Sequence, residues 1–216
     1  MSSVALTHGK GFGGWRLTAC AAGFVCALAA GLLLAHGAGE EGLRACIRNT
    51  ARTSFALFLA AFAAPALDAL RPARWTRWLR ENAPHLFAAF AASHLFHAAA
   101  IFALARRTNG ASLADRPSAE IAAGGVVYLF ILLAALTAFP AFAAWVGRRA
   151  WARLTLAFGL HVIWLTFLNS YGERAAGELF YLPFAALLVA ALLANLLAAV
   201  TRRKPRPRGN AGANAA

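Results

Sequence analysis

The chain has 216 residues, of which 61% are hydrophobic and only 13% are charged. Soluble domains are about half apolar and a quarter charged, so the composition excludes an ordinary water-soluble protein and indicates a membrane protein. The net charge of +13 does not indicate a nucleic-acid partner, because the basic residues form no aromatic-interleaved patch on a folded domain.

Six apolar stretches are long enough to cross a membrane, since about 20 apolar residues span roughly 30 Å of hydrocarbon. We therefore predict an all-α fold, a polytopic integral membrane bundle of six transmembrane helices within residues 17–200, with connections too short for a second domain. Residues 1–16 are then a leader, and the basic residues 201–216 are a disordered tail. The predicted spans are 17–35, 51–70, 84–105, 121–146, 150–168 and 177–200.

Basic residues are unevenly distributed between the two ends of these spans. Fourteen of the 21 Lys and Arg residues lie in the leader, the second loop, the fourth loop and the tail. The positive-inside rule therefore places both termini in the cytoplasm, with the basic tail against anionic lipid. We expect the bacterial inner (plasma) membrane. Six of the eight acidic residues lie on the opposite side: Glu40, Glu41, Asp115, Glu120, Glu173 and Glu178.

Three histidines lie deep within the spans, His94 and His97 in the third and His161 in the fifth. Ionisable residues at bilayer depth are rare and usually functional. At a rise of 1.5 Å per residue, His94 and His161 each lie about 15 Å from the cytoplasmic end of their span, so the two are level. Because two axial ligands approach a haem from opposite faces, level imidazoles on two helices predict a haem or metal site. Either His94 or His97 can face the bundle interior.

Two sequence motifs accompany these histidines. The second loop contains Arg74-Trp75-Thr76-Arg77-Trp78-Leu79-Arg80, and Trp151-Ala152-Arg153-Leu154 opens the fifth span. Over roughly residues 44–171 this pattern resembles the ferric reductase-like transmembrane domain family, which includes the haem-binding membrane subunit of the periplasmic methionine sulfoxide reductase system. The resemblance implies a b-type cytochrome that passes electrons across the membrane. It implies that His94 or His97, together with His161, ligates haem b.

The chain also departs from that family. The position after the fifth-span motif is Thr155, where the family often has histidine, so a second haem near the cytoplasmic face has only His85 as a ligand. We therefore expect one haem. No segment alternates strands and helices as a flavin- and nicotinamide-binding module requires. Electrons must then come from quinol or a separate reductase and leave to an acceptor protein, which makes the chain an electron-transfer subunit of an oxidoreductase.

Arg48 and Arg52 lie four residues apart at the outer start of the second span, so they can point the same way. Two interpretations stay open, because such arginines hold haem propionates or snorkel to the membrane interface. Two alternative functions also use the three deep histidines. One is a non-catalytic scaffold in which they hydrogen-bond across helices, and the other is direct binding of Cu or Zn.

Overall fold

The computed structural model describes residues 12–114 and 117–202. Six of its helices are long and apolar enough to cross a membrane, and no strand occurs among the described residues. The predicted all-α membrane bundle of six spans is therefore confirmed. The helices are α1 (Trp15–His36), α2 (Glu40–Leu70), α3 (Arg74–Arg107), α4 (Ala111–Ala114), α5 (Ser118–Leu136), α6 (Pro140–Arg148), α7 (Ala150–Gly177) and α8 (Leu182–Arg202), with a 3-10 turn at Leu179–Tyr181 before α8. All but α4 and α6 are spans.

Two spans begin well before their apolar stretches. α2 begins at Glu40 and α3 at Arg74, because the polar residues ahead of each apolar run also adopt helical conformation. In α2 the first turn contains Glu40 and Glu41, whose negative charges interact favourably with the positive end of the helix dipole. The polar first turns therefore extend both helices beyond the hydrophobic stretch that predicted them.

The fourth span differs from the single helix expected over residues 121–146. The chain forms α5, which ends at Leu136, and a separate short helix α6, which starts at Pro140. Proline suits the first turn of a helix but has no N–H to continue one. The residue before it, Phe139, is extended at φ −90° and ψ 122°, as residues before proline usually are. The span predicted over residues 121–146 is therefore divided at Pro140 into a membrane-spanning helix and a short second helix.

The end of the predicted leader packs against α3. Trp78 Nε1 donates to the Phe12 carbonyl at 2.7 Å, and the Gly14 N–H donates to Asn82 Oδ1 at 2.8 Å. Gly14 has a φ of 62°, which favours glycine, and a Cβ on Gly13 would lie 2.6 Å from Asn82 Oδ1, so a larger residue there would displace the Asn82 amide. The rest of the predicted leader, residues 1–11, and residues 203–216 of the predicted disordered tail lie outside the described residues.

α2 and α3 form an antiparallel hairpin closed by a short polar connection. The Asp68 carboxylate pairs with Arg80 at 2.6 Å across the two helices. Within the connection the Ala73 N–H donates to Thr76 Oγ1 at 2.9 Å, and the Thr76 hydroxyl lies 3.1 Å from the Arg71 carbonyl. Thr76 is fully buried. The contacts hold the two longest helices in one relative position at this end.

An aromatic cluster forms the centre of the bundle. Phe58 and Phe90 are fully buried there, with ring centroids 5.5 Å apart. α7 and α8 close the cluster, and Trp164 Nε1 on α7 donates to the Leu188 carbonyl on α8 at 2.9 Å. Since lipid gives apolar helices no hydrophobic reason to associate, such packing and hydrogen bonds hold the bundle together. The rings come from α2, α3, α7 and α8: Phe55, Phe58, Phe62, Phe87, Phe90, Phe167, Tyr171 and Phe184.

We predict that Gly42→Ala destabilises the protein. Gly42 is buried at the turn between α1 and α2, and a Cβ there would overlap the Gly37 carbonyl, a backbone atom that cannot rotate away. Overpacking of this kind costs about 1–3 kcal/mol. Thermal unfolding in detergent, followed by tryptophan fluorescence, should show a lower midpoint than the unaltered protein.

The matched control is Gly172→Ala. Gly172 lies inside α7, and nothing is within 4 Å of the Cβ position. Alanine is favoured over glycine inside a helix by roughly 0.5–1 kcal/mol, so the midpoint should stay the same or rise. A midpoint equal to the control's in Gly42→Ala would contradict the close approach at the turn.

Candidate functional site

A polar seam of four residues, Thr50, Ser54, Ser93 and His97, joins α2 to α3 near the middle of the bundle. The Ser54 hydroxyl donates to Ser93 Oγ at 2.9 Å, and the Ser93 hydroxyl donates to the Thr50 carbonyl at 3.4 Å. The three hydroxyl side chains are fully buried. Small hydroxyl residues allow close helix approach and hydrogen-bond across the interface. The polar seam therefore fixes the register of α3 against α2.

The same seam orients the His97 imidazole. His97 Nδ1 lies 3.1 Å from the Ile47 carbonyl oxygen and 3.2 Å from Thr50 Oγ1. Since a carbonyl can only accept, Nδ1 carries the proton and Nε2 keeps its lone pair. The Thr50 hydroxyl donates to the Cys46 carbonyl at 2.7 Å, which leaves its oxygen as a second acceptor for Nδ1. Histidines that ligate metals through one nitrogen usually donate the other N–H in this way.

A cavity of about 690 Å³ lies beside His97, between α2, α3, α5 and α7. We call it the arginine cavity. Its volume is within the range of small-molecule and cofactor sites. Apolar and hydroxyl-bearing side chains form much of the wall, among them Ala51, Val127 and Phe167. Two imidazoles and four guanidinium groups also line it: His94, His97, Arg44, Arg48, Arg52 and Arg174.

Two buried polar atoms in the arginine cavity have no hydrogen-bond partner. They are His94 Nδ1 and the Tyr171 hydroxyl, and the only other such side-chain atom in the described part of the chain is His85 Nδ1. Buried polar atoms in folded proteins are nearly always hydrogen-bonded, so exceptions require an explanation. Both atoms belong to residues that line the arginine cavity, although the atoms themselves are buried beneath its surface.

The four arginines of the arginine cavity differ in their existing contacts. Arg44 pairs with Glu40 one turn earlier. The Arg52 guanidinium lies 5.0 Å from the centre of the Phe180 ring, and Arg174 lies 5.6 Å from that of Tyr181. Arg48 has neither an ion pair nor an aromatic contact among the residues that the structure describes. It is therefore the cation most available to a bound anion.

The structure does not bring His161 into this cavity. His161 is exposed on α7, and its ring packs edge-on against Phe62 on α2, with centroids 5.7 Å apart. At 100° per residue, it lies about 180° around α7 from Ser170 and about 160° from Ile163, which both line the arginine cavity. His161 faces the opposite side of its helix and packs near Phe62, whereas His94 packs near Phe167. The predicted pairing of imidazoles from the third and fifth spans is not found.

The predicted metal set of His94, His97 and His161 is likewise not assembled. Within residues 12–114 and 117–202, no group of three or more His, Cys, Asp or Glu side chains is close enough to hold a metal ion. His94 and His97 do lie together, with ring centroids 5.4 Å apart. The reason is again the orientation of α7, which directs His161 away from His94 and His97.

His85, the only candidate for a second haem, lies near the other end of α3. Its ring packs against Trp15 at 5.2 Å between centroids, and the Thr18 hydroxyl donates to its carbonyl at 3.0 Å. No other histidine packs against it among the described residues. The structure thus gives His85 no second imidazole with which to ligate a haem.

Tyr171, Arg174 and Arg44 are among the cavity residues that were not predicted as site residues from the sequence. Arg174 lies seven residues after Phe167 and three after Tyr171, a spacing that places all three on one helical face. The sequence contains this spacing. The face can be recognised as functional, however, only when the structure shows that it points into the arginine cavity. No protein-family model, curated protein or solved structure matches the chain. Any function proposed for the chain must therefore be argued from the chemistry of the arginine cavity.

We predict measurable coupling between Ser54 and Ser93. A double-mutant cycle of Ser54→Ala and Ser93→Ala should give an interaction free energy of about 0.6 kcal/mol, typical of interhelical hydrogen bonds in membranes. Unfolding by SDS in mixed micelles measures it. Ser54→Ala with Thr166→Val is the control pair, because the Thr166 hydroxyl bonds only to Val162 on its own helix. Equal coupling in both pairs would contradict the polar seam.

Proposed function

We propose that this chain is a b-type haem-binding membrane protein that takes part in transmembrane electron transfer. The observation that carries the proposal is the arginine cavity, which combines an imidazole oriented with its Nε2 free, apolar walls and four guanidinium groups. A haem has an apolar ring, an iron that accepts imidazole and two propionates that pair with cations. The residues of the cavity match each of these requirements.

His97 is the proposed axial ligand. Its Nδ1–H is held by the Ile47 carbonyl, which fixes the tautomer and increases the basicity of Nε2. His94 is three residues away on the same helix, so the two imidazoles approach a bound ring from the same side. They therefore cannot serve as the two opposite axial ligands of one iron. His94 is left as a second imidazole in the wall of the cavity, beside the proposed ligand.

Arg48 is the proposed principal partner of the propionates. It has no competing ion pair among the described residues, whereas Arg44 is already paired with Glu40. Arg52 and Arg174 are held against aromatic rings, contacts that keep their guanidinium groups at the cavity while leaving N–H donors free. The positive charge of the guanidinium groups is thus concentrated where the propionates of a bound haem would lie.

The proposed direction of electron flow follows from topology. A bound haem supplies a one-electron carrier, and burial and axial-ligand choice tune its potential. With both termini in the cytoplasm of a bacterial cell, the arginine cavity lies in the outer half of the inner membrane, because α2 starts and α7 ends there. The described residues contain no strand and hence no nucleotide-binding module of their own. The proposed donor is quinol or a separate reductase, and the proposed acceptor is an external protein.

A non-catalytic scaffold is the alternative that one observation favours. His97 already bridges α2 and α3 through the Ile47 carbonyl, as a purely structural histidine does. A scaffold, however, leaves the four guanidinium groups of the arginine cavity without a role. The two functions differ in whether purified protein contains haem.

We predict that His97→Ala loses haem and His161→Ala keeps it. Chains purified from haem-replete cells are compared by pyridine haemochrome assay and reduced-minus-oxidised spectra. Losing the ligand should lower haem per chain by on the order of tenfold or more, while His161 lies outside the arginine cavity. Haem retained by His97→Ala and lost by His161→Ala would contradict the assignment, and no haem in the folded unaltered protein would favour the scaffold.

We also predict that Arg48→Gln weakens haem retention more than Arg44→Gln does. A hydrogen bond to a charged group contributes about 1.5–3 kcal/mol, which Arg48 would supply to a propionate. Arg44 is the matched control, because it lies one turn away in the same cavity but is already paired with Glu40. Haem transfer to excess apomyoglobin measures the off-rate. Equal haem off-rates for the two variants would contradict the proposed role of Arg48.

A further inference from the structure

A second, smaller cavity of about 180 Å³ lies beside the imidazole of His161. We call it the His161 cavity. It lies between α2, α3, α7 and α8, towards the end of the bundle where α2 ends and α7 begins. Phe62 and Phe87 contribute rings to its wall, and Asn195 is its other polar side chain. Since His161 is exposed on a membrane-spanning helix, the cavity opens towards lipid.

The polar atoms of the His161 cavity that remain free are hydrogen-bond acceptors. Asn195 Nδ2 donates to the Ala191 carbonyl at 2.9 Å and to the Phe62 carbonyl at 3.3 Å, which uses both of its protons. Its Oδ1 stays available. His161 Nδ1 lies 2.7 Å from the Ala157 carbonyl, so the proton is on Nδ1 and the Nε2 lone pair is free.

A proline in α2 also removes one backbone donor from the wall of the cavity. Pro65 lies within α2 and lines the cavity together with Ala61, four residues earlier. In a regular helix the N–H at position 65 would donate to the Ala61 carbonyl, but proline has no N–H. The cavity therefore lacks a donor where a helix normally supplies one. A ligand that satisfies these atoms must bring its own O–H or N–H groups.

We infer that the His161 cavity binds a lipid-soluble hydroquinone in its reduced form. The two hydroxyl groups of a hydroquinone are donors suited to His161 Nε2 and Asn195 Oδ1, whereas the oxidised quinone has only acceptors. The aromatic ring is suited to the phenylalanine walls. The choice of hydroquinone over other membrane alcohols rests on the proposed electron-transfer function.

Packed rings connect the two cavities. From His161 the contacts pass to Phe62, then to Phe58 and Phe90, and reach His94, with successive ring centroids 5.7, 5.3, 5.5 and 4.9 Å apart. Close-packed side chains leave no gap along this line. A reduced lipid in the His161 cavity would thus lie at one end of a continuous path to the arginine cavity, which an ordinary alcohol would not use.

The test is equilibrium binding of tritiated decylbenzohydroquinone to the full chain in phosphatidylcholine nanodiscs under argon. We expect one saturable site per chain, with affinity at least about tenfold higher than for the matching benzoquinone or the hydroquinone dimethyl ether, because each unmet acceptor costs roughly 1–3 kcal/mol. His161→Phe should weaken hydroquinone binding by a similar factor. Asn195→Leu is a second variant, and Thr155→Val, an exposed residue of α7 outside the cavity, is the control that should bind normally.

Three outcomes would overturn the inference: equal binding of hydroquinone and dimethyl ether, unchanged hydroquinone binding in His161→Phe, or displacement by 1-decanol at equal concentration. The last would indicate a site for membrane alcohols. Because His161 is exposed, its replacement should leave folding intact, which thermal unfolding checks. Haem is counted in the same preparations. Hydroquinone binding without haem would contradict the proposed function alone, and haem without hydroquinone binding would contradict this inference alone.

Discussion

The contact between α2 and α3 determines most of what the structure can do. In lipid, apolar helices gain nothing from hiding apolar surface, so small residues and interhelical hydrogen bonds must set their positions. The polar seam does this with side chains that leave little freedom, since Ser54 and Ser93 are fully buried and bonded to one another. His97 belongs to the same seam, and the Ile47 carbonyl of α2 fixes its tautomer. Helix register and the chemistry of the imidazole are therefore set by one group of contacts.

The two cavities differ in their hydrogen-bonding character. The arginine cavity is rich in donors, because guanidinium groups donate and never accept. The His161 cavity offers acceptors, because Asn195 uses both amide protons on backbone carbonyls. Each cavity is thus selective for a different kind of molecule, although both lie in the same apolar bundle. The aromatic cluster between them keeps the two sets of polar atoms apart and excludes water from the interior.

The sequence predicts the number of spans well, because hydropathy over about 20 residues reports directly on the cost of exposing backbone and side chains to lipid. It also places Arg48 and Arg52 on one face, and the structure puts both in the arginine cavity with His94 and His97. The structure places His161 apart from His94 and His97 for a definable reason. Counting residues gives the depth of a side chain in the membrane but not its direction around the helix, which depends on contacts such as Trp164 with Leu188. Hydropathy alone likewise gives one span over residues 121–146, whereas the helix breaks before Pro140, a residue that has no N–H to continue a helix.

α7 contributes opposite faces to the two cavities, with Ile163 and Ser170 on one and Ala157 and His161 on the other. Replacing a side chain on either face alters a single cavity. An insertion or deletion of one residue between His161 and Ile163 would instead turn one half of the helix by about 100° relative to the other, so the two faces could no longer both meet their partners. The length of this segment is thus constrained more tightly than its composition. Related sequences should therefore differ along α7 by substitutions and not by insertions or deletions.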